Sequence, residues 1–168
     1  FLTGIGAPFH RLEDDDLLKT TARHLADGAI VGWFQGRMEF GPRALGNRSI
    51  LGDPRQSAMQ RDMNLKIKHR ESFRPFAPSV LAEKADEYFE IDRESPYMLL
   101  VAPVRDDRRL AQCDEADSPW GIEMLNMARS DIPAVTHVDY SSRVQTVTRP
   151  SNPRYHALLE EFHAQTGC

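Results

Sequence analysis

The sequence predicts a single-sheet domain of the α/β or α+β class, and three observations support this prediction. The chain has 168 residues, which is the usual size of one domain. Hydrophobic residues make up 40% and charged residues 27% of the sequence, as in globular proteins, so wholesale disorder is excluded. Segments with apolar residues at helical spacing also alternate with short apolar or β-branched runs, as in mixed domains.

Helices are predicted where apolar residues recur at helical spacing between capping and breaking residues. The first begins at the acidic run 14–16, which offers N-caps, and ends near residue 27, ahead of Gly28. The last begins at Pro153 and runs to about residue 164. Two shorter helices are expected over 56–66 and 83–89.

Strands are predicted where apolar or β-branched residues form short runs. Residues 29–34 are too continuously apolar for a half-exposed strand, so they indicate a buried one. The other predicted strands cover 48–51, 98–104, 134–139 and 144–148.

The connections are polar or rich in glycine. Residues 36–46 hold three glycines and a proline and are predicted to form a loop. Residues 66–78 form a charged connection that enters the apolar segment 79–81. The acidic stretch 106–118 is predicted to be a loop or a mobile insertion.

Several functional classes are excluded by what the sequence lacks. No apolar run approaches the ~18–20 residues of a membrane span. The P-loop, the dinucleotide-binding glycine motif and the nucleophile elbow are absent, and no histidine pair has zinc-site spacing. The two cysteines, Cys113 and Cys168, lie far apart, which is typical of a reducing, cytoplasmic setting. Because the chain begins at Phe1 and not at Met, we expect a processed chain or an excised piece of a longer polypeptide.

Charge is distributed unevenly along the chain. The whole sequence has a net charge of −4, but residues 35–80 hold nine basic and four acidic side chains and carry a net +5. A cationic island in an acidic chain favours a local anion site over a nucleic-acid footprint that covers the whole surface. An ion-paired, solvated surface is the alternative explanation.

Three segments of the chain could hold an anion. Segment 36–49 places Arg43 in a glycine-rich loop, where backbone N–H groups and guanidinium forks can approach phosphate or carboxylate. In segment 66–78, alternation along an extended chain would put Lys66 and Lys68 on one face, and Pro75 would hold Arg74 extended.

The third segment, 143–153, brings another cation to the start of the last helix. Arg143 lies in a predicted strand, and Ser151 and Asn152 precede the helix. Both residues are good N-caps, so helix capping would explain them. A helix N-terminus can also bind phosphate, and one position can serve both roles.

Four motifs, taken together, resemble one known family. They are F-x-G-x-M-E-F-G-P-R-A-L-G-N-R-S-I-L over 34–51, N-x-x-I-K-x-R-x-x-F-R-P-F-A-P over 64–78, S-P-Y-M over 95–98 and H-V-D-x-S-x-R-V-Q-T-V over 137–147. Their order is similar to that in the C-terminal region of the NodU/CmcH-type O-carbamoyltransferases. The resemblance covers about residues 16–167. Family members continue beyond the motif at 161–167 into a further apolar strand.

The resemblance implies a YrdC-like fold, which is a twisted mixed β-sheet flanked by helices, over residues 1–168. It also implies a preceding Kae1-like domain that holds its own metal and receives the acceptor alcohol. The present domain would bind ATP and carbamoyl phosphate, with Mg²⁺ held mainly by the phosphates, and would form carbamoyl-adenylate for transfer to a hydroxyl group.

By the same resemblance, Arg43, Lys68 and Arg74 are the expected catalytic and phosphate-binding residues. Arg143, Ser151 and Asn152 are expected to contact nucleotide or carbamoyl phosphate. The expected partners are these two substrates and the Kae1-like domain in cis, without a membrane or nucleic acid. The acceptor, a homodimer and the activity of the isolated piece are left open. A nucleic-acid-binding module of the YrdC type and a non-catalytic docking domain are the alternative functions.

Overall fold

The computed structural model describes residues 1–110, 124–125 and 127–168 of the chain. The predicted mixture of helices and strands is confirmed, so the domain belongs to the α+β class. The strands within these ranges form three two-stranded sheets and not one continuous sheet. Two of the sheets are antiparallel and one is parallel, so the predicted mixture of strand directions is present.

Helix α1 (Asp14–Ala26) and helix α3 (Pro153–Thr166) enclose the domain on one side. The predicted N-caps of α1 need correction, since the residue before the helix is Glu13 and the three aspartates lie in the first turn. There they face the positive end of the helix dipole. Arg154 of α3 forms an ion pair with Asp14, which ties the two helices together.

The first sheet pairs β1 (Val31–Phe34) with β2 (Arg48–Leu51), as the two predicted strands suggest. The prediction that the first strand is buried is wrong, because Trp33 is buried whereas Phe34 is exposed. The parallel sheet pairs β3 (Ser79–Leu81) with β6 (Gln145–Val147), and the third sheet pairs β4 (Val101–Pro103) with β5 (Ser141–Arg143). The predicted strand at 98–104 is shorter in the structure, and Met98 lies outside it with a positive φ of 55°.

The predicted strand over 134–139 is wrong. Residues Pro133–Val135 form a 3₁₀ turn, and side-chain hydrogen bonds replace a strand ladder around it. The Thr136 hydroxyl donates to the carbonyl of Ile132, and the Ser142 hydroxyl donates to the carbonyl of Val135. Val135 and Thr136 of this stretch are therefore buried without strand pairing, whereas Val138 is exposed.

The predicted helix over 56–66 is shorter and changes its winding. Helix α2 covers Met59–Asp62 and continues into a wider π-helical turn at Met63–Ile67. The predicted helix over 83–89 is a 3₁₀ helix at Ala82–Glu87. Of the predicted loop at 106–118, Asp106–Arg108 form a 3₁₀ turn, and residues 111–118 lie outside the described residues.

The hydrophobic core has three parts that meet between the sheets and the helices. The largest packs α1 against α3 and β1 through Leu25, Trp33, Leu158 and Phe162. The others are centred on Phe89 with its neighbours and on the two methionines of α2 and the turn that follows. An apolar cavity of about 170 Å³ lies among them, and none of the predicted site residues lines it.

No helix of the described residues is both long enough and apolar enough to pass through a membrane.

Candidate functional site

The glycine-rich loop between β1 and β2 folds around the carboxylate of Glu39. Backbone N–H groups of Leu45 and Asn47 donate to the same Glu39 oxygen at 2.7 and 2.8 Å. Burial works against ionisation, but these hydrogen bonds and the charge of Arg48 outweigh it and hold the pKa of Glu39 below its ordinary value. Glu39 thus organises the loop and forms no direct ion pair with an arginine among the described residues.

Arg48 has a structural role at the base of this loop. Its guanidinium donates to the carbonyl groups of Gln35, Gly36 and Asn47 at 2.7–3.1 Å. It also lies 3.4 Å from the ring centre of Phe34, in a cation–π contact. The donors of Arg48 are therefore used inside the protein.

The end of the loop is pressed against helix α3. Gly46 has a φ of +109°, and a Cβ atom there would lie 2.3 Å from the ring of Tyr155. The amide nitrogen of buried Gln35 lies 3.0 Å from the Gly46 carbonyl, 3.1 Å from Asn47 Oδ1 and 2.9 Å from Asn152 Oδ1. Asn152 donates back to Asn47 at 2.9 Å. This polar network fixes the loop to the start of α3.

Gln145 joins all three cationic segments. Its side-chain amide donates to the carbonyl of Leu45 at 2.9 Å, and its side-chain carbonyl accepts a hydrogen bond from the Ser79 hydroxyl at 2.9 Å. Its backbone N–H donates to the carbonyl of Pro78 at 2.9 Å. Because Gln145 is only 4% exposed, these bonds lie in the interior and link the ends of the loops rigidly.

Arg43 and Arg143 approach each other across this junction. Burial lowers the pKa of Arg143, and the nearby charge of Arg43 lowers it further. Neither guanidinium has a hydrogen bond or ion pair within residues 1–110, 124–125 and 127–168. Two half-buried cations held together without a counter-charge create a strong local attraction for an anion. The structure therefore brings two of the predicted site residues together.

His137 adds a buried imidazole beside the same arginine. The Ser141 hydroxyl donates to Asp139 at 2.7 Å, so it can only accept from His137 Nδ1, which lies 3.0 Å away. The tautomer assigned by this network has its hydrogen on Nδ1. Burial lowers the pKa of His137, and the charge of Arg143 adds to this effect against the opposing charge of Asp139. The neutral ring then carries a lone pair on Nε2, which is buried and has no hydrogen-bond partner in the described chain.

The second cationic segment is held at the surface by the buried side chain of Asn64. Its amide donates to the carbonyl groups of Ser72 and Arg74 at 3.0 and 2.8 Å, and its oxygen accepts from Arg70 at 2.6 Å. The guanidinium of Arg74 is paired with the carboxylate of Glu71 at 2.8 Å, and both side chains are exposed. An exposed pair of this kind can exchange its carboxylate for another anion at little cost.

The predicted extended geometry of Lys66 and Lys68 is wrong. Both residues lie in helical backbone, at and after the wide turn Met63–Ile67, so they do not alternate on one face. Lys66 is paired with Asp62 one turn earlier at 2.9 Å. Lys68 is exposed, and its ammonium group has no partner among the residues that the structure describes. Of the two lysines, only Lys68 has its charge available.

Ser151 and Asn152 serve the start of α3. Asn152 is the N-cap, and its side chain accepts from the N–H of Tyr155 at 3.3 Å. The Ser151 hydroxyl donates to the carbonyl of Thr148 at 3.0 Å. The predicted capping is thus confirmed for Asn152, whereas contacts of the two residues with a nucleotide stay a prediction.

Sequence reasoning missed the residues that hold the site together. Gln35, Gln145 and His137 are uncharged, so charge counting passed over them. A signal was present for Gln145, which is a polar residue within the β-branched strand pattern V-Q-T-V. A buried amide in such a strand must find hydrogen-bond partners, and here they come from the other two segments.

Comparison with known proteins places the chain in a family. The model of the carbamoyltransferase C-terminus matches residues 22–168, so the chain belongs to this carbamoyltransferase C-terminal family. The four motifs named above all fall within the matched region. The predicted resemblance is therefore confirmed.

Individual relatives agree with this assignment. The chain is 60% identical over 164 residues to the uncharacterized protein sll1178 of Synechocystis sp., covering 98% of the chain and 27% of that protein. It is 45% identical over 156 residues to the nodulation protein NolNO of Sinorhizobium fredii, covering 91% of the chain and 20% of that protein. It is 42% identical over 156 residues to the 3'-hydroxymethylcephem-O-carbamoyltransferase of Amycolatopsis lactamdurans, covering 93% and 25% respectively.

The chain thus spans about a quarter of the length of the curated relatives it matches.

Proposed function

We propose that this domain forms the adenylate-making site of an ATP-dependent O-carbamoyltransferase. The observation that carries the proposal is the pair Arg43–Arg143, two half-buried cations close enough for the charge of Arg43 to lower the pKa of Arg143, with no ion pair to either in the described chain. Family membership supports the carbamoyltransferase role, because one relative is a cephem O-carbamoyltransferase by name.

The proposed reaction joins two reactants that repel each other. ATP and carbamoyl phosphate each carry several negative charges, and a close like-charge pair costs ~1 kcal/mol in water and several times more in a partly dry cleft. The positive charges of Arg43 and Arg143, held in place by the hydrogen bonds of Gln35 and Gln145, would offset this repulsion. Lys68 and Arg74 would contribute from the second segment, with Arg74 exchanging Glu71 for phosphate.

The chemical balance of the proposed step requires water. Water releases phosphate from carbamoyl phosphate and leaves carbamate, one oxygen of which then attacks the α-phosphorus of ATP. The bond from that phosphorus to the bridging oxygen breaks, and pyrophosphate leaves. The products are carbamoyl-adenylate, pyrophosphate and inorganic phosphate, and an acceptor hydroxyl would later displace AMP. Such chemistry depends mainly on positioning and charge stabilisation, which arginines on a rigid frame supply.

Neutral His137 fits this scheme as a residue that contacts the carbamoyl group. Arginines and lysines offer only hydrogen-bond donors, whereas a carbamoyl NH₂ needs an acceptor. The Nε2 lone pair of His137 is such an acceptor close to Arg143. Mg²⁺ would accompany ATP and would be held mainly by the phosphate oxygens.

The direct experiment follows pyrophosphate release from ATP and carbamoyl phosphate by the full-length enzyme that contains this chain. We expect Arg43→Gln and Lys68→Gln each to reduce the rate at least 100-fold while the circular dichroism spectrum is retained. Arg37→Gln is the matched control, since it removes an exposed cation from the same loop. Unchanged release in both Arg43→Gln and Lys68→Gln would disprove the proposed site.

Two other outcomes would point to the alternative functions. If calorimetry detects no binding of ATP to the chain, the domain is a docking module without a nucleotide site. If the chain instead binds short RNA at micromolar concentration, with affinity that falls steeply as salt increases, it is a nucleic-acid-binding module.

A further inference from the structure

The apolar cavity among the three parts of the core has no role in the proposed function. Its volume of about 170 Å³ is enough for roughly ten water molecules at about 15 Å³ each. The large apolar side chains that line it include Met59, Met63, Phe76, Phe89, Leu158 and Phe162. An apolar space of this size costs stability when it is left empty, because the side chains around it lose packing contacts. We therefore expect a further apolar group to pack there.

The cavity lies between the open edges of two sheets. Among the described residues, β2 pairs only with β1, and β3 pairs only with β6. Residues 50–52 at the end of β2 and residues 76–81 around β3 all line the cavity. A strand placed between β2 and β3 would pair with both and would join these two sheets into one.

Backbone groups of β2 face the open side. Bonded residue pairs alternate along an antiparallel ladder, and the Gln35 N–H donates to the Asn47 carbonyl at 3.0 Å, which fixes the phase of the alternation. In the observed register, Ser49 and Leu51 therefore bond to β1, whereas the N–H and C=O groups of Ile50 face away from β1. Ile50 is one of the residues that line the cavity.

Backbone groups of β3 are open in the same way. The Gln145 N–H donates to the Pro78 carbonyl at 2.9 Å, and alternate residues of a parallel strand bond to the same partner. Val80 therefore bonds to β6, whereas the N–H groups of Ser79 and Leu81 face away from it. Among the described residues, no other element accepts a hydrogen bond from these N–H groups. An added strand would supply the missing acceptors.

The end of helix α3 directs the chain to this cavity. Gly167 has a φ of +74°, and its N–H donates to the carbonyl of His163 at 2.7 Å. The Tyr88 hydroxyl donates to the Gly167 carbonyl at 3.3 Å. Cys168 then lines the cavity and packs against two of the three core clusters, and burial raises the pKa of its thiol.

We propose that the cavity is the slot for one further β-strand, which the residues directly after Cys168 provide in the full-length protein. The chain spans about a quarter of its curated relatives, so a longer polypeptide has residues for such a strand. β6, α3 and the new strand would form a crossover in which a helix joins two parallel strands. The new strand would thus run parallel to β3 and β6. The proposal does not depend on the proposed carbamoyltransferase function.

The chemistry of the occupant follows from the elements around the slot. Side chains of α2 and of α3 both line the cavity. A strand between them is buried on both faces, so it is expected to be a continuous apolar run, as in the centre of parallel sheets.

The experiment compares the 168-residue chain with the same chain extended by about ten residues of its natural polypeptide, which is enough for one strand. Hydrogen exchange followed by mass spectrometry reports on the added residues. We expect their N–H groups to exchange roughly 100-fold or more slowly than in an unstructured peptide, because they are paired within the sheet. A folded spectrum in the extended chain alone would also support the slot. Added residues that exchange at the rate of a free tail would overturn the proposal.

Val80→Phe tests the slot from the other side. Val80 lines the cavity, so the larger ring should fill it and raise the melting temperature of the 168-residue chain. In the extended chain the same ring should compete with the added strand and lower the melting temperature. Val101→Phe on β4 is the matched control, because Val101 is 60% exposed and lies outside the cavity lining.

Two results of this comparison would contradict the proposal. Val80→Phe would shift the melting temperatures of both chains in the same direction if no strand enters the cavity. If the 168-residue chain forms a dimer that Val80→Phe dissociates, the occupant is a second copy of the chain and not the segment after Cys168. None of these readouts involves catalysis, so they stand apart from the test of the proposed function.

Discussion

The two regions that carry the cationic residues are built differently. In the frame region, defined here as residues 35–49 together with 141–152, buried amide side chains join the segments that carry Arg43 and Arg143, and neither arginine has an ion pair among the described residues. In the second segment, residues 66–78, an ion pair with Glu71 neutralises Arg74, and the buried side chain of the preceding Asn64 donates a hydrogen bond to the Arg74 carbonyl. The sequence does not distinguish Arg74 from Arg43 and Arg143. The structure shows that Arg74 is paired with Glu71, whereas Arg43 and Arg143 have no ion pair among the described residues.

The difference also indicates a division of roles. Placing two half-buried guanidinium groups together costs stability, because each has lost part of its hydration and they repel each other. A folded protein keeps such a pair only if the surrounding frame is rigid enough to hold it. The surface segment needs no comparable frame, since its cations stay solvated. Four predictions and one final measurement test this contrast.

The largest loss of stability is expected from Gly46→Ala, because Gly46 lies where the frame region contacts α3. The new Cβ atom would lie 2.3 Å from the Tyr155 ring, at a backbone φ of +109° that alanine rarely adopts. Strain and overpacking together should lower the free energy of unfolding by about 3 kcal/mol or more. Urea denaturation measures the loss. Gly32→Ala, where nothing lies within 4 Å of the added Cβ, is the control, and equal stability of the two variants would argue against a tight frame.

Gln145→Leu should have the next largest effect, because it removes the side chain that joins the loops. The Leu45 carbonyl would lose its donor, and the Ser79 hydroxyl would lose its acceptor. Unsatisfied buried groups of this kind cost about 2 kcal/mol in total. Thermal and urea unfolding should show this loss of stability. The control Gln165→Leu, at an exposed position, should have a stability close to that of the parent protein. A small loss like that of Gln165→Leu would mean that the three segments are held together by other contacts.

Asn64→Ala should reduce the free energy of unfolding by a smaller amount, and the structural change should be confined to the second segment. The carbonyl groups of Ser72 and Arg74 lose their donor, but they lie near the surface, where water can replace it. We expect a cost of about 1–2 kcal/mol. Hydrogen exchange should speed up at the N–H of Arg70, which donates to the Asn64 carbonyl, and remain unchanged at β6. Faster exchange at β6 would show that the two regions are not separate.

The smallest effect concerns acid stability and His137. Because its pKa in the folded protein lies below the ordinary value of 6.5, the unfolded imidazole takes up a proton first as pH falls. Stability is therefore complete above about pH 6.5 and declines on acidification toward the folded-state pKa. His137→Gln should reduce this decline by less than about 1 kcal/mol between pH 7 and 6. An unaltered pH profile of unfolding in His137→Gln would contradict the buried neutral imidazole.

Local patterns in the sequence predicted much of the fold. The helices near both ends and the strands β1 and β2 follow from apolar spacing, capping residues and glycine, all of which act over a few neighbours. The stretch 134–139 was mispredicted because alternating β-branched residues fit a buried turn as well as a strand. Hydrogen bonds from the hydroxyls of Thr136 and Ser142 to the carbonyls of Ile132 and Val135 hold the turn, and the alternation of residues alone does not reveal them.

The sequence predicted which segments carry the positive charges of the candidate site, but not which of these charges form ion pairs. Loop glycines and arginines pointed to segments that the fold joins, and the charge of Arg43 acts on Arg143 there, whereas substrate binding by these residues stays a prediction. The pairing of Lys66 with Asp62 required knowledge of the helical turn, which replaced the expected extended chain. The side chain of Gln145 forms hydrogen bonds with Leu45 and Ser79, which lie 100 and 66 positions away. Such long-range contacts cannot be read from local sequence patterns.

The most direct measurement compares melting temperatures of the parent chain and Arg143→Gln, each with and without pyrophosphate. If Arg143 is kept for anion binding, pyrophosphate raises the melting temperature of the parent but not of the variant, by mass action on the folded state. The ligand-free variant should also melt no lower than the parent, because an uncompensated charge has been removed. A variant that melts lower without ligand and still responds fully to pyrophosphate would contradict the account.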